Sequence, residues 1–356
     1  MQIDLKRTFE GKKVFLTGHT GFKGSWLLLI LKALGAEVKG YSLAPKTAND
    51  LYHQIDGDAL CHSIIDDVRN RERIKQEILD YKPDFVFHLA AQALVIDSYD
   101  IPVETYETNV MGTIYVMDSL RELHRPCVSV MITTDKVYEN FETTKPYPEN
   151  ARLGGYDPYS NSKACAELAI GSYRNSFLNP NNYGRHKQSI ASARSGNVIG
   201  GGDWSANRLV PDIARALINE EEIILRNPQA VRPWQHVLDP LNGYLTLAAH
   251  MASDPKTYAT GYNFGPIPDD ERNVEDMTKL AIACWGSGSY NAPALDNKPH
   301  EAGLLKLEIE KAKNDLDWAP RFQSSEAVEW TINWYKNGRN DAKQFTMDQI
   351  KRYFNL

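Results

Sequence analysis

Nothing in this 356-residue chain is apolar for long. The longest uninterrupted apolar run, Trp26 to Leu31, is closed by Lys32, far short of the ~20 residues that span a bilayer. No membrane helix is expected. The opening MQIDLKRTFEGKK lacks the apolar centre of a secretory signal, so the reading is a cytoplasmic protein. Cysteine is scarce: Cys61, Cys127, Cys165 and Cys284 stand apart with no C-x-x-C spacing. That excludes a disulfide framework and a zinc ribbon and leaves reduced, mostly packing thiols. Positive charge is not in excess either, with 40 Lys plus Arg against 46 Asp plus Glu. A broad nucleic-acid footprint is thereby excluded, while one local basic pocket for an anionic small molecule remains open. The nine histidines show no metal-ligand spacing, and H-E-x-x-H, G-x-S-x-G and a P-loop lysine are all missing. No metal site is expected, and zinc proteolysis, acyl hydrolysis and nucleotide hydrolysis by those routes drop out.

What the chain does contain is an alternation. A β-rich run at Lys13 to Thr17 meets Gly18, and an apolar helical stretch follows from Phe22 to Leu34. Strands are then expected at Glu37 to Tyr41, Leu60 to Ile65, Asp84 to Leu89, Cys127 to Thr133 and Ser189 to Arg194. Helices are expected at Arg71 to Tyr81, Thr105 to Leu123 and Tyr159 to Phe177. Strand and helix in turn predict an α/β fold, a Rossmann-type doubly wound parallel sheet with helices on both faces. After about Asn197 the texture changes to glycine- and proline-punctuated pieces. The expected division is residues 1–197 for a dinucleotide-binding domain and 198–356 mainly for a smaller, mixed α/β substrate lobe. Segments near 236–264 return to the sheet, so the two interleave.

The first turn carries chemistry. Gly18, Gly21 and Gly24 follow a strand and open a helix, with Thr20, Phe22 and Lys23 between them. Such a turn lets backbone N–H groups and a helix N-terminus approach a pyrophosphate. The carboxylate that usually holds the adenosine ribose at the end of the second strand is missing, since Tyr41, Ser42 and Leu43 stand there. Lys23 would suit a 2′-phosphate, so NAD and NADP both stay open. Asp66, Asp67 and Val68, after the third strand, are placed either to meet the adenine or to cap the next helix.

Tyr159 and Lys163 are the second signal. Four positions apart on an expected helix, they project from one face. A lysine ammonium beside a tyrosine hydroxyl favours the phenolate, lowering a pKa of ~10 and making a base for an alcohol. Thr133 and Thr134 close the buried strand between the two motifs.

The glycine turn and YSNSK, with HLAAQ at His88 to Gln92, TNVMGT at Thr108 to Thr113, ARSGNVIGGGDW from Ala193 and RPWQHV from Arg232, together resemble the extended short-chain dehydrogenase/reductase family along nearly the whole chain. The TTDKVY segment, Thr133 to Tyr138, with GHTGFKGSWL and RPWQHV, is most similar to its nucleotide-sugar 4,6-dehydratases. The resemblance implies a tightly bound NAD regenerated in each cycle, lined by Leu89, Ala90, Ala91 and Gln92 and supported by Asn109. It implies that Thr134, Tyr159 and Lys163 oxidise a sugar hydroxyl, with Asp135 and Lys136 as acid and base of an elimination serving deoxysugar synthesis. Lys136 would have to be neutral and Asp135 protonated, or Lys136 would handle both protons while Asp135 orients. Among Arg194, Arg208, Arg215 and Arg232, the resemblance marks Arg232, with Asn197, for the substrate diphosphate. Arg208 is a lesser candidate, since Arg208 and Arg215 read more simply as surface residues. Trp204 and Trp234 suit stacking on a base or sugar as well as a place in the core, and neither is assigned; His236 reads as a packed histidine. A homodimer or homotetramer through the helices Thr105 to Leu123 and Tyr159 to Phe177 is implied by the same resemblance.

Overall fold

The computed structural model describes residues 3–270, 272–293 and 304–356. One sheet holds β1 (Lys13–Thr17), β2 (Glu37–Ser42), β3 (His62–Ile65), β4 (Phe85–His88), β5 (Cys127–Ile132), β6 (Gln188–Ser195) and β7 (Gly261–Phe264). Its order is β7-β6-β5-β4-β1-β2-β3, and every neighbouring pair is parallel. Parallel strands need crossovers that cover both faces, so their residues are mostly apolar or small and any polar one must find a partner inside. All six residues of β5 and all eight of β6 are buried accordingly. Along β1 the two faces separate, with Val14 and Leu16 in one core cluster and Phe15 in the other, as the strand period of two requires.

Helix α1 (Phe22–Ala33) is apolar on all sides, and Trp26 through Leu31 are each 0% exposed. A helix of that kind must be covered all round; each buried leucine contributes about 1.5–3 kcal/mol. Trp26 also donates its indole N–H to Gly201 O at 3.0 Å. Tyr335 holds the same segment, donating to Asp203 O at 2.5 Å. The core helix α1 thus fixes the glycine-rich loop after β6.

Helices α2 (Arg71–Tyr81), α3 (residues 102–121) and α4 (Pro158–Ser176) complete the first half. The expected single helix from Thr105 differs in two ways. It begins at Pro102, whose fixed φ and missing N–H suit a first helical position, and it contains a π-turn at Glu107–Met111. The third strand starts later than expected because Gly57–Ala59 forms a 3₁₀ turn before it. Residues near 236–264 do return: α5 (Leu238–Ser253) packs on the sheet and β7 pairs with β6. Helix α6 (Ala342–Phe354) is fastened to α5 by Tyr353 Oη donating to Asp239 Oδ1 at 2.7 Å. No helix among the described residues is long and apolar enough to cross a membrane.

In a doubly wound sheet, ligands enter where the strand order reverses, outside the carboxyl ends of the strands. Here that point lies between β1 and β4. The residues following β1, β4, β5 and β6 include nearly all those singled out in the sequence.

Candidate active site

The turn after β1 is shaped by backbone contact. Gly18 has φ +75°, and a Cβ on it would lie 2.8 Å from Ala90 N. A Cβ on Gly24 would lie 2.0 Å from Gly18 O. By contrast, a Cβ on Gly21 would meet only Gly18 O, at 3.4 Å, so the space above it is open. Gly21 is also the N-cap of α1, and no side chain caps the helix. The first-turn N–H groups are left for a ligand, and the cradle fits a dinucleotide pyrophosphate. Phe22 flanks it, near Gly200.

Around the turn, short hydroxyls replace the missing carboxylate. Thr20 Oγ1 lies 2.9 Å from Ser42 Oγ and donates to Leu43 O at 2.8 Å, at the end of β2. Asp67 is bound by Arg69 through Nε at 3.0 Å and Nη2 at 2.7 Å; burial raises its pKa, but the Arg69 hydrogen bonds prevail and lower it. Asp66 accepts from Asp67 N at 2.7 Å and Asn70 Nδ2 at 3.2 Å. Both acids thus anchor the start of α2, while buried Val68 packs where Gly112 leaves room. Leu89 and Ala90 hang from β1, donating to Thr17 O at 3.2 Å and Thr17 Oγ1 at 3.1 Å. Ala91 follows, half-buried. Asn109, fully buried in the π-turn, accepts from Gln92 N at 2.9 Å and donates to Gln92 O at 3.0 Å and Ser162 Oγ at 2.9 Å. The π-turn occurs where one amide must tie the loop after β4 to α4.

Lys23 turns the other way. Its Nζ donates to Ser195 Oγ at 2.9 Å and Tyr244 Oη at 3.4 Å. Those partners lie on β6 and α5, across β1 from the β2 end where a ribose 2′-phosphate would sit. The 2′-phosphate role expected for Lys23 therefore finds no geometric support. Burial lowers the Lys23 pKa to about 7, and the charges of Arg208, Lys163 and Lys136 add to that while Asp135 opposes it.

The end of β5 gathers the remaining groups. Thr134 caps a single 3₁₀ turn, Asp135–Val137, and donates from Oγ1 to Asp135 Oδ1 at 2.9 Å. Asp135 is 2% exposed, and Gly196 leaves space for it, since a Cβ there would lie 3.1 Å from Asp135 Oδ2. Lys136 Nζ is 3.7 Å from Asp135 Oδ1 and donates to Asn197 Oδ1 at 3.3 Å. Asp135 is thus buried, while the Lys136 side chain keeps 31% of its surface exposed. On α4, Tyr159 lies close enough to Thr134 for that residue to act on the phenol, and Lys163 Nζ donates to Ile132 O at 3.3 Å. The expected pull of Lys163 on the phenol does not prevail here. Burial pushes Tyr159 up to about 12, against the Thr134 hydrogen bond and the Arg208 charge. Burial also lowers Lys163 to about 8, against the Glu167 charge.

The arginines divide. Arg194 is 6% exposed and paired with Glu167 at 2.6 Å, which makes it a core ion pair. Arg215 binds Asp212 and donates to the carbonyls of Trp204 and Ser205, so it braces a loop. Arg208, half-exposed and 3.2 Å from Asp203, lies close enough for its charge to act on Lys23 and Tyr159. Arg232 lies on the strand Val231–Arg232 beside Arg272–Asn273; its side chain lies outside the described residues. Trp234 is buried with its N–H on Arg272 O at 3.1 Å. His236 is 0% exposed among Trp26, Phe322 and Trp330, a packed histidine as expected. Among the described residues no His, Cys, Asp and Glu group is placed to hold a metal.

Sequence reasoning missed Glu167, Ser195 and Tyr244. Glu167 had a signal, standing eight residues after Tyr159 and four after Lys163. Tyr244 had none, because only the return of α5 brings it to the site.

Sheet order, reversal point and glycine cradle define a Rossmann-type dinucleotide-binding protein. The chain belongs to the GDP-mannose 4,6-dehydratase family, whose sequence profile matches residues 15–331. It is 46% identical over 331 residues to the CDP-glucose 4,6-dehydratase of Salmonella typhimurium, covering 93% of this chain and 92% of the relative. It is 25% identical to the CDP-paratose 2-epimerase of Salmonella typhi, over 90% of this chain and 98% of that one. Among solved structures, the dTDP-glucose 4,6-dehydratase of Streptomyces venezuelae with NAD and TYD bound is similar with TM-score 0.77 and 23% identity, covering 92% and 98% of the two chains. The UDP-glucose 4-epimerase of Stenotrophomonas maltophila with bound NAD gives 0.79 at 18% identity, covering 92% and 99%.

Proposed function

We propose that this chain is an NAD-dependent CDP-glucose 4,6-dehydratase, converting CDP-glucose to CDP-4-keto-6-deoxyglucose and water. The observation that carries the reading is the meeting of Thr134, Asp135 and Lys136 with Tyr159 at the end of β5. An epimerase has no use for Asp135 and Lys136 there. The 46% identical CDP-glucose 4,6-dehydratase supports the nucleotide.

Gly18, Gly21 and Gly24 with the loop Leu89–Gln92 would hold the cofactor. Hydroxyls at Thr20 and Ser42, and the diversion of Lys23, favour NAD over NADP. When bound, NAD supplies a hydride acceptor for C4 and the same hydride later for C6, so the cycle has no net redox change. Tyr159 takes the proton of the 4-hydroxyl as a phenolate, which the positive charge of bound NAD, added to Lys163, would favour against burial, and Thr134 holds that oxygen. The C4 ketone acidifies the hydrogen on C5, and Lys136 is the base that removes it. In the structure Asp135 accepts from Thr134 and stands beside Lys136, a geometry suited to orienting the amine. The proton gained by Lys136 then serves the departing C6 hydroxyl, which leaves as water; Lys136 is reloaded from solvent and returns a proton to C5 when C6 is reduced, while Tyr159 gives its own proton back to solvent. Asn197 steadies Lys136, and Arg208 and Arg232 meet the diphosphate.

The exposed Val103, Met111 and Leu168, on α3 and α4, offer an apolar face for a second copy, and a homodimer or homotetramer belongs to this reading. So does a cytoplasmic setting, consistent with four free cysteines. The test is incubation with CDP-, dTDP-, UDP- and GDP-hexoses, reading the alkaline chromophore of 4-keto-6-deoxy sugars. CDP-glucose should give it; an epimer without keto sugar would overturn the proposal.

A further inference from the structure

The acid one turn beyond Lys163 has no part in the steps above. Glu167 is 5% exposed. Its Oε1 accepts from Thr133 Oγ1 at 2.5 Å, and its Oε2 accepts from Ser192 Oγ at 2.9 Å and Arg194 Nη2 at 2.6 Å. Arg194 in turn donates to Tyr138 Oη at 2.7 Å and Glu149 O at 2.9 Å. One carboxylate therefore ties α4 to the ends of β5 and β6. Tyr159, Lys163 and Glu167 are spaced at i, i+4 and i+8 and share a helix face.

Lys163 is 4% exposed, and an ammonium so enclosed needs a compensating charge. The titratable groups around it are Tyr159 and Glu167 on its own helix, His88 on β4 and Lys23 on α1. Burial holds His88 neutral, with its pKa near 3, and Lys23 contributes repulsion. Glu167 supplies negative charge from one helical turn away, its oxygens being held by Thr133, Ser192 and Arg194 rather than by Lys163 itself. Burial alone would protonate this carboxylate, but Arg194, Thr133 and Ser192 together keep its pKa below the ordinary range.

We propose that Glu167 is a positioning residue for the Tyr159–Lys163 pair: it keeps the Lys163 ammonium charged inside the protein and pins Thr133, the neighbour of Thr134. Its catalytic consequence rests on the dehydratase reading, but its electrostatic content does not.

The test is an NMR titration of Lys163 Nζ in cofactor-free protein, assigned with Lys163→Met. The parent midpoint should lie at about 8; in Glu167→Gln it should fall by about one pH unit or more, as expected for loss of a neighbouring opposite charge. Because Glu167→Gln strands Arg194 as an unpaired buried cation, the double variant Glu167→Gln/Arg194→Met is titrated beside it and should show a fall of the same sign, smaller because the Arg194 charge is lost with that of Glu167. A midpoint unchanged in the folded variants overturns the proposal, whatever the enzyme does with sugars. In the kinetic arm, the alkaline limb of kcat for CDP-glucose should move down in pH, with Glu167→Asp restoring part of it. A uniform loss across pH would mark Glu167 as merely structural and sink the idea. If the parent makes no keto sugar, the dehydratase reading fails while the titration still decides this one.

Discussion

The cofactor cradle and the proton-handling cluster lie side by side on the same sheet, yet they are built from opposite materials. The cradle is backbone, with Gly18 and Gly24 admitting no Cβ, peptide N–H groups and almost no charge. The cluster is charge and hydroxyl in a space with little water, where Lys23, Lys136, Lys163, Asp135 and Glu167 act on one another. Shape fixes the first and electrostatics the second. A sheet edge can impose geometry on atoms of any kind, but protonation states must be held by named neighbours.

The sharpest way to break the cluster is to remove one of its bases. Lys136→Met should lower kcat by about 10²–10⁴-fold, the range for loss of a general acid–base group, and should abolish solvent deuterium incorporation at C5. Asp135→Asn should slow turnover less and keep that exchange. If exchange disappears with Asp135→Asn and survives Lys136→Met, the base has been misassigned.

The cradle breaks by volume. Gly24→Ala places a Cβ 2.0 Å from Gly18 O and should cost about 3 kcal/mol or fold poorly, as overpacking does, read from thermal melting. Gly21→Ala meets one atom at 3.4 Å and should change stability by less than about 1 kcal/mol while weakening NAD binding. Equal melting losses for both would mean that the turn tolerates no distinction between packing and ligand space.

The same contrast explains how much was legible in advance. Periodicity and glycine spacing placed all the strands of the first half and the return of residues 261–264, because a covered parallel sheet demands buried runs of the right length. The turn was legible because the contact of Gly24 with Gly18 acts through residues six apart, although the contact of Gly18 with Ala90 does not. The π-turn around Asn109 was not, since nothing in TNVMGT distinguishes a π-turn from an α-turn until Gln92 and Ser162 are in place. Nor was the fate of Lys23. Sequence neighbours suggested a phosphate, whereas its partners Ser195 and Tyr244 are distant in the chain. Arg194 fell among the candidate phosphate ligands for want of the Glu167 contact that buries it.

Charge in the cluster should also appear in stability. The Lys23 pKa is lowered from 10.5 to about 7 in the folded protein, so between those values the unfolded chain binds a proton that the native state does not. Stability should then rise with pH from about 7 toward 10, by at most about 1.4 kcal/mol per pH unit for one such group. The penalty is fullest below pH 7. Lys23→Met should flatten that slope in chemical denaturation series at stepped pH. An unchanged slope would place the ammonium in water.

The smallest effect lies at the seam between shape and charge, where the second strand ends without a carboxylate. If Thr20 and Ser42 hydroxyls stand in for it, they recognise a ribose by neutral hydrogen bonds, each worth about 0.5–1.5 kcal/mol. Thr20→Val leaves the glycine turn intact but removes the contacts to Ser42 and Leu43 O. The Kd for NAD should therefore rise by about 3–10-fold, the equivalent of one such bond, with melting barely moved. A 2′-phosphate cannot exploit those hydroxyls as a cation would, so NADP should remain the weaker ligand in both proteins. Were Thr20→Val to bind both cofactors as the parent does, the ribose would have to be held elsewhere, and Asp66 and Asp67 at the end of β3 would be the next groups to replace.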